Sequence, residues 1–287
     1  MSIRALVTAF VGVMIGCPLL AAELKVPANI VAGNDFTIVS SNSERGTFYL
    51  IGPSQVGKRQ VQNGSEINII GDEIKNSGLY VALLCSGGDC ASTTFYVKPA
   101  APTKLTLLVH PSRVRVAEPN AISAVAVVFD KFRNLVTESA QVEFQAIAGE
   151  GQPVSQSGAA SNGIAWIRLT SGKKEGPVKV AATVGPAKET RVVRQVASDA
   201  CNLRIKPEWS SGKFYVATDP IRDCSGNPVP DGTVVSFTKT DSTGKTTVDA
   251  PVKRGIARVQ MPVEGNARIL VASGVVTGNE LNVTGKQ

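Results

Sequence analysis

Val127-Val-Phe-Asp-Lys-Phe-Arg-Asn-Leu-Val-Thr137, followed by Val142-Glu-Phe144, is the stretch that decides the fold. A β-branched run carries the chain into a polar turn opened by Asp130, and a second apolar run carries it back, which is the pattern of antiparallel strands. Further along, Asp223 opens the same grammar: Gly226-Asn-Pro-Val-Pro-Asp-Gly-Thr-Val-Val-Ser-Phe237 is again a turn that delivers a strand.

Working outward, nearly every apolar stretch from Glu23 onward is short, β-branched and bounded by Gly, Pro, Asn, Asp or Ser. Phe36–Val39, Thr47–Ile51, Glu66–Ile70, Leu79–Leu84 and Thr93–Val97 form one set, closed by Lys98-Pro-Ala-Ala-Pro-Thr103, whose two prolines stop a strand and stiffen a joint. A second set runs through Leu105–Val109, Ser123–Phe129, Ala140–Ile147, Ile164–Leu169, Val178–Val184 and Thr190–Val196. A third runs through Lys213–Thr218, Val234–Thr238, Gly255–Gln260, Ala267–Ala272 and Asn279–Val283. Helical periodicity is absent, and strands at roughly 8 to 12-residue spacing predict an all-β chain of tandem immunoglobulin-like antiparallel sandwiches. The expected domains are 23–99, 103–197 and 198–287. Val125, Val127, Phe129, Val142 and Phe144 are the expected core of the second, with Trp166 inward beside them.

Composition supports a folded chain: 43% of residues are hydrophobic, and 27 Gly and 16 Pro are too few for a low-complexity polymer. The chain starts with Arg4, an apolar run from Ala5 to Gly16 and the small pair Ala21-Ala22, the layout of a secretory signal peptide over 1–22. That run is too short to span a bilayer, so no transmembrane segment is expected. Met14-Ile-Gly-Cys17 loosely resembles a bacterial lipobox, which would make Cys17 a lipidation site and supply a lipid anchor. Met14 and Pro18 fit that pattern poorly, and release after Ala22 is the competing route.

Setting Cys17 aside, four cysteines remain, and four allow three connectivities. The local one is expected, Cys85 with Cys90 around a Gly-rich loop and Cys201 with Cys224 inside the third domain, as suits an oxidising, extracytoplasmic compartment. A zinc site built from the four cysteines lacks CxxC spacing and has no histidine partner near them in sequence.

The second and third sets resemble bacterial immunoglobulin-like repeats of the invasin and intimin type. Asp130-Lys-Phe-Arg-Asn-Leu-Val136 with Val142-Glu-Phe144 matches the family's Asp-led turn and V-x-F strand. Ser161-Asn-Gly-Ile-Ala165 matches its N-G-x-A strand start, and Lys179-Val-Ala-Ala-Thr-Val184 its closing strand. In the third set Asp223, Gly226–Phe237 and Arg254-Gly-Ile-Ala-Arg-Val-Gln260 fit likewise. Two positions depart from the pattern: Arg133 where the turn has Gly, and Cys224. The resemblance spans about 103–287 and implies exposure on a bacterial surface, with adhesion or scaffolding as the work.

Chemistry-bearing residues are sparse. His110 is the single histidine, so any Ser-His-Asp or Cys-His arrangement must use it. Asp35, Asp72, Asp130, Asp219, Asp223 and Asp231 sit in turn-like stretches, where Asp serves side-chain-to-backbone hydrogen bonds; Asp219 with Asp223 is the nearest approach to a calcium loop. Ser86-Gly-Gly-Asp89 has no helix behind it to cradle a phosphate and reads as a hairpin. Net charge is +7, or +6 once Arg4 leaves with the signal, and it is dispersed. Aromatics are 5% and Lys173-Lys174 is followed at once by Glu175, unlike a nucleic-acid surface. Trp209, in Pro207-Glu-Trp-Ser-Ser-Gly212, is expected exposed on a loop and is the candidate partner contact.

The sequence thus predicts an exported, periplasmic or surface protein without enzymatic activity or cofactor, binding a protein or a cell-wall or surface polysaccharide. An accessory subunit of an envelope assembly or secretion machine is the alternative. A carbohydrate-active enzyme is the distant one and would need two carboxylates opposed across a groove.

Overall fold

Strands supply nearly all regular structure in the computed structural model, which describes residues 23–41, 44–62, 65–149 and 151–285. The leader and Cys17 therefore lie outside the described residues. The chain divides into two units, Met1–Ala100 and Ala101–Gln287.

The first unit holds β1 (Leu24–Lys25), β2 (Ile30–Val31), β3 (Phe36–Ser40), β4 (Gly46–Ile51), β5 (Val56–Val61), β6 (Glu66–Ile69), β7 (Gly78–Ser86) and β8 (Asp89–Lys98). They form a three-stranded sheet, β1-β3-β6, and a five-stranded sheet, β2-β8-β7-β4-β5. Rings bridge the two sheets: Phe36 meets Phe95 edge-on at 5.5 Å, and Phe95 stacks on Tyr80 at 5.6 Å. Tyr80 is fully buried, and its hydroxyl donates to Asn76 O at 2.9 Å, so the one polar atom of the ring is satisfied. Phe48, Leu50, Ile38, Ile67 and Leu84 belong to this core, each on the inward alternation of its strand.

The second unit contains two sandwiches with separate cores. The first has β9 (Pro102–His110), β10 (Arg113–Arg115), β11 (Ile122–Asp130), β12 (Ala140–Ala148), β13 (Val154–Ala160), β14 (Ile164–Leu169), β15 (Gly176–Val184) and β16 (Ala187–Val196). Sheet β14-β11-β9 faces β10-β16-β15-β12-β13 across a core that includes Val142, Phe144, Ile167 and Val180. The second has β17 (Ala200–Cys201), β18 (Ile205–Ser210), β19 (Lys213–Thr218), β20 (Arg222–Asp223), β21 (Val234–Asp241), β22 (Gly244–Pro251), β23 (Arg258–Gln260), β24 (Asn266–Ser273), β25 (Val276–Thr277) and β26 (Leu281–Thr284). Here β18-β19-β23 faces a sheet built around β22-β21-β24, and the core includes Val216, Phe237, Val252 and Ile269. Two short pairs, β2 with β8 and β10 with β16, run parallel inside otherwise antiparallel sheets.

Two expectations about the second sandwich are corrected. Val125, Val127 and Phe129 point outward, and Ile122, Ala124, Ala126 and Val128 fill the core instead. The reason is Asp130, which is fully buried and must face inward to collect its hydrogen bonds. With a side-chain period of two, that fixes the alternate residues of β11 inward. Ala124 and Ala126 share that core with Phe144 and Ile167. Trp166 shares the outward parity through its register with Val125 and is 66% exposed, not core.

Candidate functional site

Both Asp-led turns close identically, and their geometry explains the residues at each position. In the first, Asp130 Oδ1 accepts from Phe132 N at 2.9 Å and Asn134 N at 2.8 Å, and Asn134 Nδ2 donates to Asp130 Oδ2 at 2.8 Å. In the second, Asp223 Oδ1 accepts from Ser225 N at 2.8 Å and Asn227 N at 2.9 Å, and Asn227 Nδ2 donates to Asp223 Oδ2 at 2.9 Å. The fourth residue of each turn is left-handed: Gly226 at φ 87° and Arg133 at φ 71°. Arg133 therefore keeps the turn that Gly makes easily, at a backbone cost of about 1–2 kcal/mol.

The second turn does more than reverse the chain, because Asn227 reaches into the neighbouring sandwich. Its Nδ2 donates to Lys173 O at 2.8 Å and its Oδ1 accepts from Glu175 N at 3.1 Å. The loop it grips is fixed from behind by Gln195, itself buried. Gln195 Nε2 donates to Lys174 O at 2.8 Å, and its Oε1 accepts from Gly172 N. On the other flank Ser198 N donates to Asp223 Oδ2 at 3.0 Å, and Arg115 pairs with Asp199 at 2.9 Å. Burial pushes the Asp223 carboxyl up, but the donors from Asn227, Ser198 and Ser225 outweigh it and hold it below the ordinary carboxylate value.

The Cys201–Cys224 disulfide ties this turn to β17, where the chain enters the sandwich, so Cys224 staples the turn within the third sandwich. The Cys85–Cys90 disulfide joins directly opposed residues of β7 and β8 beside the hairpin Ser86–Asp89.

The remaining expected residues do not converge. His110 is exposed at the end of β9, and its row across the sheet continues through Ser123 to Arg168, not to a carboxylate. Asp35 accepts from Gly71 N at 2.6 Å, Asp72 pairs with Lys75 at 3.0 Å, Asp219 with Lys206 at 3.4 Å, and Asp231 takes the Gly255 N–H at 3.4 Å. Each acid is held locally. Asp219 and Asp223 serve different partners, and among the described residues no group of three His, Cys, Asp or Glu is placed to hold a metal ion. A cleft of about 420 Å³ between the second and third sandwiches is an open notch of mixed charge, with Glu175 and Asp231 beside Arg113, Arg194 and Arg254.

Trp209 lies in β18, not on a loop; its ring sits 5.1 Å from Phe214, and the residue is 54% exposed. Sequence reasoning missed a larger exposed apolar group in the first unit, at Ile51, Val56, Leu79 and Tyr96. The signal was there in the alternation of β4 and β7, where both parities are apolar, a pattern that cannot bury every member in one core.

These sheets, stapled turns and joints define a tandem immunoglobulin-like β-sandwich protein. Among solved structures it is similar to FdeC, an adhesin of Escherichia coli, at 14% identity over 93% of this chain and 96% of that one, with a TM-score of 0.61. InvD of Yersinia pseudotuberculosis is similar at 13% identity over 92% of this chain and 96% of that one, with a TM-score of 0.50. At these identities what is shared is the fold, the bacterial immunoglobulin-like sandwich. No protein-family model matches the chain, and no curated protein matches it in sequence.

Proposed function

We propose that the protein is a non-enzymatic structural or adhesive component of a bacterial envelope or cell surface, exported by residues 1–22 and binding a protein or polysaccharide. Its domains in this reading are 23–99, 103–197 and 198–287. The observation that carries it is the use of the polar residues: Asp130, Asp223, Asn134, Asn227 and Gln195 are spent on turns and on one joint, where they hold sandwiches in series. The two disulfides support an oxidising compartment. Likeness in fold to an adhesin supports the same reading.

Immobilised chain lacking residues 1–22, exposed to the envelope of its own cells, is expected to retain a specific protein or glycan. Retention of nothing above a control sandwich would remove the adhesive reading, and retention of components of one assembly machine would replace it with the accessory-subunit reading. Intact mass of the exported protein distinguishes a start at Glu23 from a lipidated Cys17.

A further inference from the structure

The outer face of the five-stranded sheet in the first unit is unlike its counterparts. Cross-strand register places the outward side chains of β8, β7, β4 and β5 in four rows: Tyr96–Leu79; Thr94–Val81–Ile51–Val56; Ser92–Leu83–Tyr49–Lys58; and Cys90–Cys85–Thr47–Gln60. Seven of these are large apolar or aromatic residues, with Val56 68%, Leu79 62% and Tyr96 52% exposed. No Asp or Glu stands in the four rows, and Lys58 is their one charged side chain. The corresponding faces of the other sandwiches are solvated: Glu143, Lys179 and Arg194 stand outward on one, and Lys245, Asp249 and Arg268 on the other. The fold is therefore made twice in this chain without an apolar outer face. A contiguous patch of this kind marks an interaction site.

The edge of the same sheet is open. β5 pairs with β4 on one side, and among the described residues no strand pairs with the other, which leaves a row of backbone donors and acceptors available. The inward Arg59 of β5 is already held, by Glu73 Oε1 at 2.5 Å, whereas the outward Lys58 lies 5.6 Å over the Tyr49 ring.

We infer that this face and the free edge of β5 form one partner site, and that its occupant is an extended segment of another protein. The segment adds as a strand beside β5, with an apolar residue opposite Val56 and a carboxylate opposite Lys58. The inference rests on the reading of the chain as a binding scaffold and adds the site and the partner's chemistry.

A second copy is the wrong occupant on charge: the three antiparallel registers centred on Lys58 and Arg59, which pair the most of β5, oppose Lys58 to itself, Arg59 to itself, or one to the other, and like charges directly opposed are destabilising. It is also wrong on area. Four rows over four strands cover about 400 Å² by strand and row spacing, half of what each partner gives in a stable dimer face. A bilayer would take the apolar rows but leave the edge donors and acceptors of β5 unsatisfied. An added strand uses the edge for main-chain bonds and sets its alternate side chains beside Val56, Lys58 and Gln60, at the margin of the apolar face.

The test is a photo-crosslinking residue, p-benzoylphenylalanine, in place of Gln60 in the full chain, irradiated in its own cells. One polypeptide adduct is expected, and fragmentation should place the crosslink in a segment that alternates apolar residues with Asp or Glu. Lys58→Glu, and separately Val56→Asp, should each cut the adduct at least about tenfold, the equivalent of one 1.4 kcal/mol step. Both positions are exposed, and unchanged melting temperatures confirm folding. An adduct with a second copy, with lipid or with glycan overturns the inference, as does an adduct indifferent to Lys58→Glu or no adduct at all. The same probe in place of Thr190, on the second sandwich, separates the two failures: an adduct there and none at 60 moves the site and leaves the binding reading standing.

Discussion

Asp223 carries the burden of a joint on one carboxylate. It accepts hydrogen bonds from Ser225, Asn227 and Ser198, it is buried, and its folded pKa lies below the ordinary value. The sign follows from linkage: a depressed folded pKa stabilises the protein above the unfolded value of about 3.9, and that stability is lost as pH falls through the folded value. Thermal melts of the full chain should therefore fall in midpoint below about pH 4. Asp223→Asn should start from a lower midpoint and show less of this acid-dependent fall. A variant whose pH profile overlays the parent's would show that the donors do not favour the ionised carboxylate. Nothing but the letter Asp before a turn announces this in the sequence. Its donors were legible as turn chemistry, while Ser198, twenty-five residues earlier, was not, because tertiary folding brings it there.

At the scale of the strand, the sequence conveys burial better than it conveys which face is buried. β11 reads Ile-Ser-Ala-Val-Ala-Val-Val-Phe-Asp, and Val125, Val127 and Phe129 share one parity against Ala124 and Ala126 on the other, so apolar volume over the strand's middle points them inward. The buried Asp130 reverses that, and Val128 is fully buried while Val127 is only partly buried. Val128→Ala should cost about 1.5–3 kcal/mol by removing buried methyl groups, against at most about 1 kcal/mol for Val127→Ala. Urea denaturation of the two variants checks the register, and equal losses would argue for the opposite parity. Among the strands that escape a reading by apolar runs, β5, β13 and β22 each lie at the open edge of their large sheet. Val-Gly-Lys-Arg-Gln-Val, Val-Ser-Gln-Ser-Gly-Ala-Ala and Gly-Lys-Thr-Thr-Val-Asp-Ala-Pro are wet along most of their length, so they carry little of the alternation that a half-buried strand shows. Trp166 was misplaced for the converse reason: an aromatic on a strand is usually covered, and here its row is an outer one.

Across the second unit, Asn227 decides whether two sandwiches behave as one body. Its side chain satisfies Lys173 O and Glu175 N, on a loop that Gln195 already holds in place, so the contact joins two ordered surfaces and orders little that was loose. Truncation to Ala leaves those two backbone groups without their partner and removes a donor from Asp223, at a cost of about 1–3 kcal/mol. The Cys201–Cys224 disulfide and the Arg115–Asp199 pair remain, but the first acts inside the third sandwich and the second is an exposed ion pair worth at most about 1 kcal/mol. Spin labels at positions 190 and 249, one on each sandwich, should report a narrow distance distribution in the parent. In Asn227→Ala the distribution should broaden, while each sandwich keeps its own core and strand content by circular dichroism. A distribution just as narrow in the variant would mean that the joint is held without Asn227. The turn would then be local chain reversal alone, as Asn134 already achieves around Asp130 with the same three hydrogen bonds.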